Sequence, residues 1–233
     1  MSFNNWSIFK KCKNIVLTED IKNKLQKYYD ILIRENTKYN LTRIISIDDV
    51  YEKHFLDSLL FTEAFNLQNQ KIADIGSGPG FPGVVIKIFF PNTKILLIES
   101  NNKKANFLRT LIKELDLKGI NVADQRAEDL SFQLKETFDI VISRAVAYLD
   151  IILEIGVQLL KIEGHYILLK GPRAEQEIID LKNKDLKMGL KLENKQTLED
   201  TGFGIRINLF YKKFQSTASI YPRSYAQIKK ESK

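Results

Sequence analysis

Residues 71–83 read Lys-Ile-Ala-Asp-Ile-Gly-Ser-Gly-Pro-Gly-Phe-Pro-Gly. Four of the chain's eleven glycines, Gly76, Gly78, Gly80 and Gly83, fall in this stretch. The apolar residues before them predict a strand, and Val84 to Phe90, stopped by Pro91, predict a helix. A glycine-rich turn between strand and helix brings bare backbone against a ligand, because glycine accepts positive φ and has no Cβ in the way. A second apolar run, Ile95 to Ile98, ends in Glu99, 25 positions after Asp74. An acid at the end of the second strand of a doubly wound sheet is placed to accept hydrogen bonds from ribose hydroxyls. The chemistry implied is binding of a nucleoside-bearing cofactor, with Asp74, Gly76, Gly78 and Glu99 as candidate contacts.

The loop discriminates among such cofactors. Gly78, Gly80 and Gly83 meet the 1-3-6 spacing of the dinucleotide fingerprint, but counting from Gly76 puts Phe81 at the sixth position. Pro79 and Pro82 stiffen a turn that would have to offer amides to a pyrophosphate. No Gly-Lys-Ser/Thr follows, so nothing is set to hold a β- or γ-phosphate and its magnesium. Asp-x-Gly-x-Gly-x-Gly with an acid ending the second strand resembles the loop of S-adenosylmethionine-dependent methyltransferases. A purely structural turn is the alternative reading.

The elements that must position this loop follow from the rest of the chain. At 233 residues, 44% hydrophobic and 28% charged, it has the composition of a globular protein with one sizeable core. Thr18 is a good N-cap for a helix whose Ile21, Leu25, Tyr28 and Leu32 recur at helical spacing, ending near Asn36. Residues 1–17 read as irregular, and one or two further helices are expected in 46–66. From Lys71 the pattern alternates. Strands are expected near 71–75, 94–98, 119–123, 138–143 and 164–170, and helices near 82–90, 102–115, 149–161 and 173–183. Two more strands, near 188–196 and 205–214, should form an antiparallel edge. The fold class is α/β, a Rossmann-like sheet of seven strands with an N-terminal helical cap. The expected division is a helical extension over 1–66, a catalytic domain over 67–215 and a basic tail over 216–233.

In a parallel sheet, function gathers at the carboxyl ends of the strands. Gln125-Arg126-Ala127-Glu128-Asp129 follows the third, Ser143-Arg144-Ala145-Val146-Ala147 ends the fourth, and Leu169-Lys170-Gly171-Pro172 ends the fifth. Arg126, Arg144 and Lys170 on successive strand ends suggest an anion- or substrate-binding wall; taken singly, each could be a surface charge or an ion pair. His54, Asp57 and Ser58 share a helix face and cannot form a nucleophilic triad from one turn; local helix bonding and a role beside the cleft both remain open. His165, inside a strand, reads as a packed structural residue. With two histidines and one cysteine, Cys12, no metal site or disulfide framework is indicated. No apolar run suits a signal peptide or a membrane span, which points to a cytosolic, reducing compartment.

The segments Tyr39-Asn40-Leu41-Thr42, His54 to Leu59, Asp74 to Gly83, Lys103 to Leu108, Arg126-Ala127-Glu128, Phe138 to Ala147 and Leu169-Lys170-Gly171 together resemble the bacterial 16S rRNA guanine-N7 methyltransferases, the glucose-inhibited division protein B family. The resemblance runs from about residue 37 to 171. It implies S-adenosylmethionine as cofactor and 16S rRNA or the small ribosomal subunit as partner; a cytoplasmic monomer without metal is expected. It further implies that Gly76, Phe81, Ala127, Glu128 and Arg144 line the cofactor pocket, that Arg126, Arg144 and Lys170 help to hold RNA, and that Arg144, Lys170 and His54 stand at the reaction centre.

The net charge of +7 suits a polyanionic partner. Residues 212–233 carry Lys212, Lys213, Arg223, Lys229, Lys230 and Lys233 against Glu231 alone, interleaved with Phe214, Tyr221 and Tyr225. Such a mixture can pair phosphates and stack on bases, Arg223 and Lys230 being the expected RNA contacts; a solvated, frayed tail is the alternative. The family pattern continues here through Thr217, Tyr221, Pro222, Arg223 and Lys230, whereas Ala218, Ile220, Ala226 and Ile228 replace its Pro, Lys, Gly and Pro. Two rival classes share parts of this pattern: a nucleotide-dependent oxidoreductase and a non-catalytic RNA-binding assembly factor.

Overall fold

The computed structural model describes residues 2–232; Met1 and Lys233, the last of the tail cations, lie outside the described residues. Seven strands form one sheet: β1 (Lys71–Ile75), β2 (Lys94–Ile98), β3 (Ile120–Ala123), β4 (Phe138–Arg144), β5 (Leu160–Lys170), β6 (Leu190–Leu198) and β7 (Arg206–Lys213). Their order is β3-β2-β1-β4-β5-β7-β6. The first five run parallel, and β7 is antiparallel to both β5 and β6. The direction of winding reverses between β1 and β4, where a doubly wound sheet opens a crevice at its carboxyl edge.

Because successive strand residues face opposite sides, each strand feeds two cores. Ile72, Ile95, Leu97, Ile140, Ile142, Ile167 and Phe210 pack on one face with the N-terminal segment. That face is covered by α1 (Glu19–Tyr39), α2 (Ile47–Val50), α3 (Gly83–Phe89) and α4 (Asn102–Glu114). Ala73, Ile98, Val141, Tyr166, Leu168 and Leu209 pack on the other. There lie α5 (Ala127–Leu130), α6 (Leu149–Gly156), α7 (Ala174–Leu181), α8 (Lys184–Lys187) and α9 (Tyr225–Glu231). The Thr18 side chain accepts from the Ile21 amide as the cap of α1.

Differences from the sequence expectation have tertiary causes. Trp6–Lys11 form a 3-10 helix within the stretch read as irregular, because Phe3 stacks on Tyr51 at 3.8 Å and Phe9 lies 5.8 Å from Phe89. The sixth helix stops at Gly156 and β5 begins at Leu160, earlier than expected. A 3-10 turn, Val157–Leu159, joins the two, and the Tyr166 hydroxyl donates to the Ile152 carbonyl and occupies the space a Cβ on Gly156 would need. Burial pushes the Cys12 thiol up to about 12, which fits an inert side chain.

The tail is anchored. Gln158 donates to the carbonyls of Thr217, Ala218 and Tyr221, and Thr217 donates to that of Met188 at 2.7 Å. Ser224 caps α9 with Gln227 in a capping box, and Ile228, one of the departures from the family pattern, is 2% exposed in the core. Arg223 holds the buried Glu154 through Nε and Nη2, at 2.9 and 2.8 Å, and reaches Glu231 at 2.5 Å. Arg223→Ala should therefore strand a buried carboxylate and lower unfolding free energy by about 3 kcal/mol, measured by urea denaturation; an unchanged midpoint would mean that the pair does not anchor the tail.

Candidate active site

At the switch point a cleft of about 650 Å³ opens, walled by the loop after β1, the ends of β4 and β5, and the segment from Ile44 to Asp57. The loop is positioned by a fully buried acid. Asp74 Oδ2 accepts the Gly83 amide at 2.9 Å, fixing the start of α3, while Oδ1 has no partner. Burial raises the Asp74 carboxyl to about 7, and the Gly83 amide pulls against that rise. A Cβ on Gly83 would lie 2.6 Å from Oδ2, so only glycine allows the approach.

Glu99 is also buried. Its Oε2 accepts the Gly78 amide at 2.9 Å and its Oε1 the Asn101 amide at 2.8 Å. Each carboxylate oxygen keeps a further lone pair for a ribose hydroxyl. Gly78 sits at φ +55°, and a Cβ there would meet nothing nearer than the Gly76 carbonyl at 3.9 Å. A side chain at 78 would thus occupy the cleft rather than collide with protein. The bare backbone cradle, the acid beneath it and the acid beside it fit a nucleoside cofactor with a cationic arm.

On the opposite wall the chain widens into a π-helical turn over Tyr51–Leu56, a distortion common at functional sites. It presents His54 and Asp57 to Arg144, at the end of β4. Arg144 Nη1 donates to Asp57 Oδ2 and to the Lys53 carbonyl, both at 3.0 Å, and Nη2 lies 3.2 Å from His54 Nδ1. The guanidinium covers the Phe81 ring at 5.1 Å, and the His54 ring stacks on Phe81 at 4.5 Å. His54 Nδ1 also lies 3.1 Å from the Lys53 carbonyl, and its Nε2 lies 3.0 Å from Thr42 Oγ1. Burial and the Arg144 charge lower the His54 pKa to about 4. Ser58 instead bonds locally to the His54 carbonyl at 2.6 Å.

Lys170 ends β5 with an ion pair to Glu177 and a 3.0 Å bond to the Ala147 carbonyl. Glu177 also accepts the Leu149 amide at 2.7 Å, so one carboxylate ties β5 to the start of α6. Of the residues singled out in the sequence, Gly76, Gly78, Phe81, His54, Arg144 and Lys170 line this cleft. Ala127 and Glu128 open α5 after β3; Arg126 reaches Glu128 at 3.3 Å and lies 5.0 Å over the Tyr225 ring of the tail. Asp74, Glu99, Arg126, Ala127, Glu128, Arg223 and Lys230 are outside the cleft lining.

Sequence reasoning did not single out Arg206, whose Nε donates to Asp57 Oδ1 at 2.7 Å. Asp57 thus joins two arginines from strands far apart in sequence, and no local pattern signals that pairing. Among the described residues no group of three or more His, Cys, Asp or Glu side chains could hold a metal, and no helix is long and apolar enough to cross a membrane.

The depressed His54 pKa sets a pH dependence. Between about 4 and 6.5 the unfolded chain binds a proton here that the folded chain does not. The stability from a neutral His54 is complete above 6.5 and is lost as pH falls toward 4. The difference in unfolding free energy between the protein and a His54→Asn variant should shrink by up to about 3 kcal/mol over that window. A constant difference in urea titrations at several pH values would show that His54 protonates freely in the fold.

Residues 21–201 match the family described as rRNA small subunit methyltransferase G. A relative named "Ribosomal RNA small subunit methyltransferase G" from Mycoplasma capricolum subsp. capricolum is 65% identical, over 99% of this chain and 100% of its own. Another of that name, from Carboxydothermus hydrogenoformans, is 40% identical over 85% and 86%. Among solved structures, M. jannaschii TYW2 in complex with AdoMet superposes with a TM-score of 0.58 at 18% identity, covering 73% of this chain and 79% of that one. Aeropyrum pernix fibrillarin with natively bound S-adenosyl-L-methionine gives 0.52 at 16% identity, over 67% and 73%. These two likenesses show a shared fold. The match to the family model and the near full-length relatives show that the chain belongs to the rRNA small subunit methyltransferase G family.

Proposed function

We infer that the protein transfers a methyl group from S-adenosylmethionine to N7 of a guanine in 16S rRNA. The observation that carries the reading is the bare backbone of Gly76 and Gly78 in the cleft, held by Glu99 through the Gly78 amide and by Asp74 through the Gly83 amide, within a sequence of this family. Gly76 and Gly78 offer backbone to the methionine and ribose parts, and Glu99 accepts from the ribose. Ala127 and Glu128 face the adenine edge, and Phe81 forms the floor near the reacting centre. The cofactor supplies a methyl on a cationic sulfur.

Guanine N7 carries an in-plane lone pair and no proton, so the site needs alignment rather than a strong base. Good alignment of the reacting atoms, about 3–3.5 Å apart, supplies roughly 7–11 kcal/mol. Arg144 uses three of its five N–H donors within the protein and Lys170 two of its three. The remaining donors are free to orient the base or the cofactor carboxylate. His54, neutral and stacked on Phe81, holds Arg144 in place. Arg126 and Lys230, both exposed, meet RNA phosphates, while Arg223 positions the tail that carries Lys230.

Binding and methylation test the reading separately. A valine at position 78 should abolish calorimetric binding of S-adenosylmethionine, since the new side chain fills the cleft, and should lower unfolding free energy by about 1–3 kcal/mol for the positive φ it must adopt. Glu99→Ala should weaken cofactor binding by about 1.5–3 kcal/mol and leave RNA affinity nearly unchanged. Wild-type cofactor affinity in either variant would displace the cofactor from this loop.

A further inference from the structure

The cations that strands bring to the cleft are engaged within the protein: Arg144 and Arg206 by Asp57, and Lys170 by Glu177. A phosphate that took any of them would leave a buried carboxylate unpaired. Arg173 differs. It lines the cleft at the start of α7, is exposed, and its side chain has no hydrogen bond or ion pair among the described residues. The same cleft is lined by Tyr148, 45% exposed, with its ring in no aromatic pair among the described residues.

The backbone under Tyr148 is fixed. Ala145 takes φ +55°, a conformation uncommon for residues with a Cβ, and turns the chain out of β4. Val146 then packs on Gly76, where an added Cβ would lie 2.4 Å from its Cγ2. Tyr148 follows as the cap of α6, its carbonyl accepting the Ile152 amide at 3.0 Å and the next amide held by Glu177 at 2.7 Å. A half-exposed aromatic ring on a fixed helix start, in the same cleft as a free planar cation, is an arrangement for one nucleotide. The N7 edge lies in the narrow major groove of an A-form helix, so the target must be splayed from its stack and needs a π surface to replace its neighbours. Its phosphate needs a donor that is not already paired, and a guanidinium can meet it bidentately.

We propose that Tyr148 and Arg173 form the target-nucleotide subsite, the Tyr148 ring stacking the guanine and Arg173 pairing an adjoining phosphate. The assignment rests on the guanine-N7 reading above. It makes these two residues substrate contacts, distinct from the engaged cations that shape the cleft.

The test uses the full-length protein, small-subunit particles lacking the modification, and calorimetry with S-adenosylmethionine. Tyr148→Ala should lower kcat/KM for particles by about 5- to 150-fold, the range of base–aromatic stacking, while cofactor affinity stays within about twofold. Tyr148→Phe should restore it, because the ring and not the hydroxyl is used. Arg173→Ala should reduce the slope of log kcat/KM against log salt by about 0.7. In a Tyr148→Trp variant, added 7-methylguanosine should quench fluorescence beyond the change seen with Trp6 alone. Unchanged kcat/KM in Tyr148→Ala, an unchanged salt slope in Arg173→Ala, or loss of cofactor affinity in Tyr148→Ala would each overturn the subsite. Wild-type protein that bound cofactor but failed to methylate the particles would overturn the guanine-N7 reading and the subsite with it.

Discussion

The guanidinium of Arg144 joins parts of the chain that no local interaction would bring together. It projects from the end of β4, yet three of its hydrogen bonds go to the segment Lys53–Asp57, some ninety residues earlier. Through Asp57 it is coupled to Arg206 at the start of β7, and through His54 to Thr42. The helical N-terminal segment is therefore fixed to the carboxyl edge of the sheet, where it becomes a wall of the cleft. Asp57 is almost buried, at 8% exposure, so the loss of either arginine would leave a carboxylate short of a partner in a poorly solvated place. The same network decides the state of His54: the desolvated ring and the neighbouring Arg144 charge together keep the imidazole neutral.

A second buried acid organises the opposite wall. Asp74 fastens the start of α3 through the Gly83 amide, and Glu99 fastens the loop through the Gly78 amide. Both carboxylates bond backbone N–H groups, so the loop takes its shape from main-chain geometry and leaves its own surface bare. A cationic ligand arm near the partnerless Asp74 oxygen would favour its ionised form, which burial alone opposes. The two walls thus differ in kind. One is a backbone cradle held from below by acids, and the other is a side-chain network held together by charge.

Much of this was legible in the sequence, for reasons that are local. Strand–glycine–helix punctuation placed β1, the loop and α3 to within a residue or two. Continuous apolar runs placed the other parallel strands, apart from the early start of β5, because burial on both faces of a parallel sheet leaves a continuous signal. The acids Asp74 and Glu99 were readable because a doubly wound sheet fixes where strand ends meet a nucleoside. What escaped depends on contacts distant in sequence. Arg206 looks like any strand-flanking cation until Asp57 is seen across from it, and the 3-10 turn at Trp6 exists only because Phe3 and Phe9 find Tyr51 and Phe89. The partners of Lys170 and Arg223 were equally invisible, since Glu177 and Glu154 lie on helices with no pattern linking them to either cation. Charge counted along a chain cannot separate cations that face a ligand from cations already paired.

The central claim is that Arg144 and Asp57 act as one unit in aligning the methyl transfer. A double-mutant cycle on single-turnover methylation of small-subunit particles tests it most directly, with the protein, Asp57→Ala, Arg144→Ala and the double variant compared at saturating cofactor. Groups that work as a unit are strongly non-additive, so the double variant should be about as slow as Arg144→Ala alone. Rate losses that simply multiply would show that the two residues contribute independently, and would contradict the account.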